Sequence, residues 1–154
     1  MHEFIHYEVK DVMIADPITV GPETRISEAE AILAEHDFNG LPVVEGDRKL
    51  IGMVTKLDIL RAFIFTEKRM VPEYQAVLDK PVAEVMARDP RRVEPETPLT
   101  RVLQRMIDTR HKSFPVVEDG RLVGIIARED VLRALRRAAR NQRPARLQDA
   151  GGAE

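Results

Sequence analysis

Short apolar runs alternate with amphipathic stretches and polar turns along this chain, and the order in which they do so occurs twice. In the first copy Ile18 to Val20 predicts a short strand after Asp16-Pro17, and Gly21-Pro22-Glu23-Thr24 is turn chemistry. Ser27, with Glu30 three residues on, has the capping-box pattern and predicts a helix through about His36. Two apolar runs, Leu41 to Val44 and Leu50 to Val54, flank the polar turn from Glu45 to Lys49 and read as a hairpin. Thr55 then caps a second helix with apolar positions Leu57, Leu60, Ala62, Ile64 and Phe65. The second copy repeats the order: Arg92-Val93, a helix from Thr100, strands Phe114 to Val117 and Leu122 to Ile126, and a helix from Arg128.

Aligned with a single one-residue gap in the hairpin turn, the copies share VM, DP, PET, PVVE, the Gly of LIG and LVG, and D-x-L-R-A. The period of about 73 residues is too long for a solenoid or propeller, and two copies with no third predict a closed pseudo-two-fold pair. Each copy of about 55 residues is near the lower limit for independent folding, so one face of each is expected to be buried against the other. The expected organisation is a first repeat with its lead-in over 1–65, a connector over 66–80, a second repeat over 81–140 and a flexible tail over 141–154.

Composition narrows the functional classes. The 154 residues carry 24 basic and 26 acidic side chains for a formal net charge of −2, which argues against a wholly basic nucleic-acid-binding surface. Zero cysteines exclude disulfides, thiolate metal sites and a cysteine nucleophile. Only 5% of residues are aromatic and none is Trp, so the core is expected to be aliphatic. No apolar run reaches the roughly 18 to 20 residues of a spanning helix, and Met1 to His6 lacks the cationic head and apolar stretch of a signal peptide. A cytoplasmic location is therefore expected.

The sequence V-M-x-x-D-P-x-x-V, an amphipathic helix, N-G-L-P-V-V and L-I-G-M-V-T-x-x-D, followed by a second copy in the same order, resembles the tandem CBS domain pair, or Bateman module. The resemblance covers about Val9 to Leu135. It implies an α+β fold of two pseudo-symmetric βαββα repeats packed sheet to sheet, with two clefts between them. It also implies assembly into a homodimer, regulation rather than catalysis, and binding of an adenosine-containing ligand such as AMP, ADP, ATP or S-adenosylmethionine. In this family the residues matching Thr55 and Asp58 hold a ribose, and each cleft borrows residues from the other copy. The first cleft would be completed by Arg91, Arg92, Val93, Lys112, Ser113, Phe114 and Pro115. The second, around Asp130, would be completed by Ile18, Thr19, Val20, Asn39, Gly40, Leu41 and Pro42. Phosphate contacts in the first cleft would fall to Lys56, Arg92, His111 and Lys112.

On residue chemistry alone Thr55-x-x-Asp58 is equally a plain helix cap, because an acidic third position suits the helix dipole. The second copy has Ala127 where the first has Thr55 and keeps the carboxylate as Asp130, which ranks the first cleft ahead of the second. His2 and His6 stand four apart with no third metal ligand evident, and no Ser/His/Asp order, G-x-G-x-x-G or P-loop occurs. The arginines at 133, 136, 137, 140, 143 and 146 form a basic run, most simply a solvated helix end. The expected function is a stand-alone regulatory module that binds an adenosine ligand, needs no cofactor and signals to a separate protein. The alternatives are a ligand-free dimeric scaffold and a nucleic-acid-associated module using the arginine-rich helix.

Overall fold

A computed structural model describes residues 2–64 and 73–141; positions 142–154 of the expected tail, Arg143 and Arg146 among them, positions 66–72 of the expected connector, and Phe65 lie outside these. After a single 3₁₀ turn at Phe4–His6 the chain forms α1 (Val9–Val12), β1 (Ile14–Ala15), α2 (Ile26–His36), β2 (Gly40–Glu45), β3 (Lys49–Thr55) and α3 (Lys56–Arg61). The second copy follows as α4 (Tyr74–Leu78), a 3₁₀ turn at Val82–Glu84, β4 (Ala87–Arg88), α5 (Leu99–Thr109), β5 (Ser113–Glu118), β6 (Arg121–Ala127) and α6 (Arg128–Asn141).

The two hairpins are copies of one another. Gly40 pairs with Thr55 and Ser113 with Ala127, and each ladder slips by one residue at the same place, between Val43 and Val44 and between Val116 and Val117. Their tight turns need left-handed backbone, supplied by Gly46 and Arg48 in one and by Asp119 and Gly120 in the other. The hairpins meet tip to tip. Lys49 pairs with Arg121, Leu122 donates its N–H to Arg48 at 2.8 Å, and an Arg121–Asp47 ion pair closes the seam at 2.7 Å. Beneath it Leu50, Val117 and Leu122 form a small apolar cluster belonging to both repeats.

The strands expected at Ile18–Val20 and Arg92–Val93 do not form; Val20 and Val93 each make a single parallel bridge, to Val43 and Val116. The extended residues lie instead just before the Asp-Pro pairs, and they cross over. β1, from the first copy, pairs with β6 of the second, and β4, from the second, pairs with β3 of the first. This crossing explains the glycine in each β3-type strand. A Cβ on Gly52 would lie 2.9 Å from the Ala87 carbonyl oxygen, and one on Gly124 would lie 2.9 Å from that of Ile14. Only a residue without a side chain lets the crossing backbone come so near.

The lead-ins cross in the same way. Phe4 and Val9 are buried with Leu99, Val102, Phe114, Ile126 and Ala138 of the second repeat. Val77, Val82 and Met86 are buried with Ile26, Leu33, Leu41 and Val54 of the first. Their backbones also start the long helices. Ile26 donates its N–H to the Lys80 carbonyl at 2.9 Å, and Leu99 donates to that of Tyr7 at 3.0 Å. For this reason α2 begins at Ile26 with Arg25 at its cap, and the Ser27 cap expected from the sequence is not used. A partner from the crossed lead-in has taken over what a capping side chain would do.

Candidate functional site

Two clefts lie between the repeats, each where one repeat's hairpin feeds a helix against the other repeat's loops. In the first, β3 ends at Thr55, whose extended backbone turns into α3. The Thr55 hydroxyl accepts the Asp58 N–H at 3.2 Å and donates to Asp58 Oδ2 at 2.9 Å, and Oδ2 also accepts the Thr55 N–H at 2.8 Å. The cap is thus complete in both directions. It fixes the Asp58 carboxylate, only 8% exposed, with Oδ1 turned toward the Arg61 guanidinium 3.6 Å away.

In the second cleft the same backbone step occurs at Ala127. Asp130 Oδ2 accepts the Ala127 N–H at 2.7 Å and Oδ1 is paired with Arg133. The carboxylate's half of the cap needs only the backbone N–H, so Asp130 performs it without a hydroxyl. Its retention beside Ala127 therefore has a structural reason, and Asp130 is the more deeply buried of the two, at 2% exposed.

The first cleft encloses about 520 Å³. Thr55, Lys56 and Asp58 form one wall, and Lys112, Ser113, Phe114 and Pro115 come from the second repeat. His111 joins them, edge-on to Phe114 with ring centroids 5.5 Å apart. Arg92 and Val93 are elsewhere. Val93 is buried in the second core, and Arg92 turns away to pair with Asp89 at 2.9 Å. With only one bridge residue on this segment, the side chain facing the cleft is that of Arg91, one position earlier. Arg88 and Arg110, which no motif of the sequence marks, also reach the cleft, from β4 and from the left-handed residue ending α5.

The second cleft encloses about 540 Å³, with Asn39, Gly40 and Leu41 from the first repeat facing Ala127 and Asp130. Val20 lies in the first core, and Thr19 and Pro42 do not line this cleft; of that expected segment Ile18 lines it, joined by Asp16 and Pro17. His36 and Phe38 stack at its mouth, centroids 5.0 Å apart and planes 15° from parallel. Asn39 and Ser113 touch both clefts and mark the boundary between them. Among the described residues no three His, Asp or Glu side chains gather as metal ligands, and no helix is long and apolar enough to cross a membrane.

A doubled hairpin-and-helix unit with crossed lead-ins and paired inter-repeat clefts defines a class, and comparison with known proteins gives the same class. The CBS domain family matches over residues 9–64 and again over 82–137, and the chain belongs to this family as a tandem CBS pair. It is 35% identical over 135 residues to the chloroplastic CBS domain-containing protein CBSX1 of Arabidopsis thaliana, covering 75% of this chain and 57% of that protein. An inosine-5'-monophosphate dehydrogenase of Korarchaeum cryptofilum is 38% identical over 122 residues, 77% of this chain but 22% of the enzyme. The chain thus spans little more than half of one such relative and about a fifth of the other, and it matches the enzyme only through that portion. Among solved structures, CBSX2 in complex with AMP superposes with a TM-score of 0.74 at 29% identity, over 86% of this chain and 98% of that one. The CBS domain pair of MJ0100, in complex with 5'-methylthioadenosine and S-adenosyl-L-methionine, does so at 0.69 and 32% identity, over 84% and 95%.

Proposed function

We propose that this CBS pair is a regulatory module, without catalytic activity of its own, that binds adenosine-containing ligands in the clefts between its repeats and passes their occupancy to a partner protein. The observation that carries this reading is the buried, cap-fixed carboxylate at the helix start in each cleft. A carboxylate with one oxygen committed to the cap and the other held only by a flexible arginine can accept two hydroxyl donors, as a ribose diol presents. Phe114 and Pro115, or Ile18 and Leu41, supply the apolar surface that suits a purine ring. The ligands of the CBSX2 and MJ0100 structures support the same class. Ligand acts on the partner only through its differential affinity for two arrangements of the repeats.

The module is proposed to work as a homodimer in the cytoplasm. Leu57, Leu60 and Ile64 near α3, with Ile107 on α5 and Leu132 on α6, are large apolar side chains more than half exposed, which supports burial of these faces against a second copy. Light scattering at micromolar concentration should give twice the chain mass, and a monomer mass would reject the dimer.

Calorimetric titration with AMP, ADP, ATP and S-adenosylmethionine tests the ligand reading. At least one should bind, and Asp58→Ala should weaken binding in the first cleft by about 1.5 to 3 kcal/mol, the worth of hydrogen bonds to a charged group. No heat with any of the four would instead favour a ligand-free scaffold.

A further inference from the structure

The clefts share one backbone but not one charge. Six cationic side chains, Lys56, Arg61, Arg88, Arg91, Arg110 and Lys112, line the first, against the carboxylates of Asp58 and Asp89. Arg133 is the single arginine or lysine lining the second, against Asp16, Asp37, Glu129 and Asp130. Arg61 is held at Asp58 and Arg88 reaches the Ala83 carbonyl at 3.5 Å. Among the described residues Lys56, Arg91, Arg110 and Lys112 have no carboxylate partner. In the second cleft Arg133 is spent on Asp130 and Asp16 has only Arg48, 3.9 Å away.

The contrast arises at corresponding positions of the repeats. Asp37 and Arg110 are the same left-handed residue at the end of α2 and α5, with φ of 54° and 60°. Ile18 follows the first Asp-Pro and Arg91 the second; Asn39 and Lys112 each precede the first residue of a hairpin. Leu57 and Glu129 are each the second residue of the following helix. Arg128, which corresponds to Lys56, is withdrawn from the second cleft because its guanidinium donates to the carbonyls of Arg110 and His111 at 2.7 and 3.2 Å. Each of these exchanges shifts the first cleft toward positive charge or the second toward negative.

Resting on the adenosine-ligand reading above, we infer that the clefts divide their ligands by charge. The first takes an adenosine nucleotide bearing a phosphate chain; the second takes an adenosine derivative without phosphate, neutral or carrying a positive sulfonium. Unpaired guanidinium and ammonium groups form charge-assisted hydrogen bonds with phosphate oxygens, whereas unpaired carboxylates in a recess repel them. Because both clefts offer the same carboxylate to the ribose, the phosphate chain discriminates between them.

Titration of the full chain with ATP and with S-adenosylmethionine, singly and in sequence, tests the division. Each should bind at one site per chain without displacing the other. ATP binding should weaken about tenfold or more as salt rises from about 50 to 300 mM, and S-adenosylmethionine binding should weaken much less, as expected when a multiply charged phosphate chain is held by several cations and the other ligand carries a single sulfonium charge. Exchanging the charges with Arg110→Asp and Lys112→Asn should reduce ATP affinity about tenfold or more and spare S-adenosylmethionine. Asp tolerates the left-handed backbone, and retained S-adenosylmethionine binding with an unchanged melting temperature shows that the variant is folded. If that variant is not folded, Arg91→Ile, which copies Ile18, replaces it with the same expectation. Competition between the two ligands for one site, or ATP affinity indifferent to salt and to these substitutions, overturns the division while leaving adenosine binding intact. Failure of both ligands to bind overturns the division and the reading beneath it together.

Discussion

Opposite Thr55 across the first hairpin stands Gly40, and opposite Ala127 across the second stands Ser113. The pairing has a steric cause. A Cβ at position 40 would lie 3.1 Å from the Thr55 methyl group and 3.2 Å from the Val54 carbonyl oxygen, so glycine across from the threonine relieves crowding that a side chain there would bring. The second repeat has the complementary solution, a side chain at 113 and a small residue at 127. From the sequence Ala127 reads as a lost hydroxyl; from the structure it makes room for Ser113. Restoring the hydroxyl with Ala127→Thr should therefore give less than the about 0.5 to 2 kcal/mol of a threonine cap, because crowding offsets it. In a Ser113→Gly background the same substitution should recover that full gain, and urea unfolding of the four proteins of the cycle measures the coupling. A full gain from the single substitution would reject the steric account. The Thr55-Asp58 cap was legible from the spacing of its two residues, whereas which of the adjacent Arg91 and Arg92 lines the cleft was not. A single bridge residue has no alternation to read, so the facing side chain is decided by tertiary contact.

At the level of elements, the hairpins and the four longer helices followed from apolar patterning and turn residues, shifted at their ends by a residue or two, except that α3 stops at Arg61, short of Ala62 and Ile64, which were expected on its apolar face, and Phe65 lies outside the described residues. The crossed strands did not, because Ile14–Ala15 and Ala87–Arg88 are too short to carry a period. Their trace in the sequence is indirect: a lone glycine inside an otherwise apolar strand marks close backbone approach. Gly124→Ala should destabilise the protein by about 1 to 3 kcal/mol, since the Ile14 carbonyl must move, and thermal melting reads this directly. The docking of the N-terminal lead-in adds a pH dependence. Asn141 and Tyr7 donate to Glu3 at 2.7 and 3.0 Å, and these hydrogen bonds, Asn141 first, hold the Glu3 carboxyl below its ordinary value. The folded form thus binds this proton less readily than the unfolded chain, so the contribution is full above the ordinary glutamate range and is lost as pH falls through it. For Tyr7, loss of water contact and the bond to Glu3 raise the phenol above 10.0, so its contribution fades as pH rises past that value. Hydrogen-exchange protection of residues 4–12, relative to the intrinsic rate at each pH, should fall at both extremes, and Glu3→Gln should remove the acid-side change.

For the whole molecule, crossing makes each repeat's core incomplete within its own stretch of chain. Residues 2–64 contain Phe4 and Val9, which cover the second core, and lack Val77, Val82 and Met86, which cover the first. Chains cut in the connector should therefore show no cooperative unfolding when made separately, and should regain it when 2–64 and 73–141 are mixed. Independent folding of either half, followed by circular dichroism, would contradict this. The same crossing sets an order of events during synthesis. The first hairpin can close as soon as Thr55 leaves the ribosome, but the residues around Phe4 must stay undocked until Phe114, Ile126 and Ala138 have emerged. The segment around Phe4 is thus made before the first hairpin yet finds its place after it, and until then its apolar side chains are within reach of a chaperone or a neighbouring nascent chain.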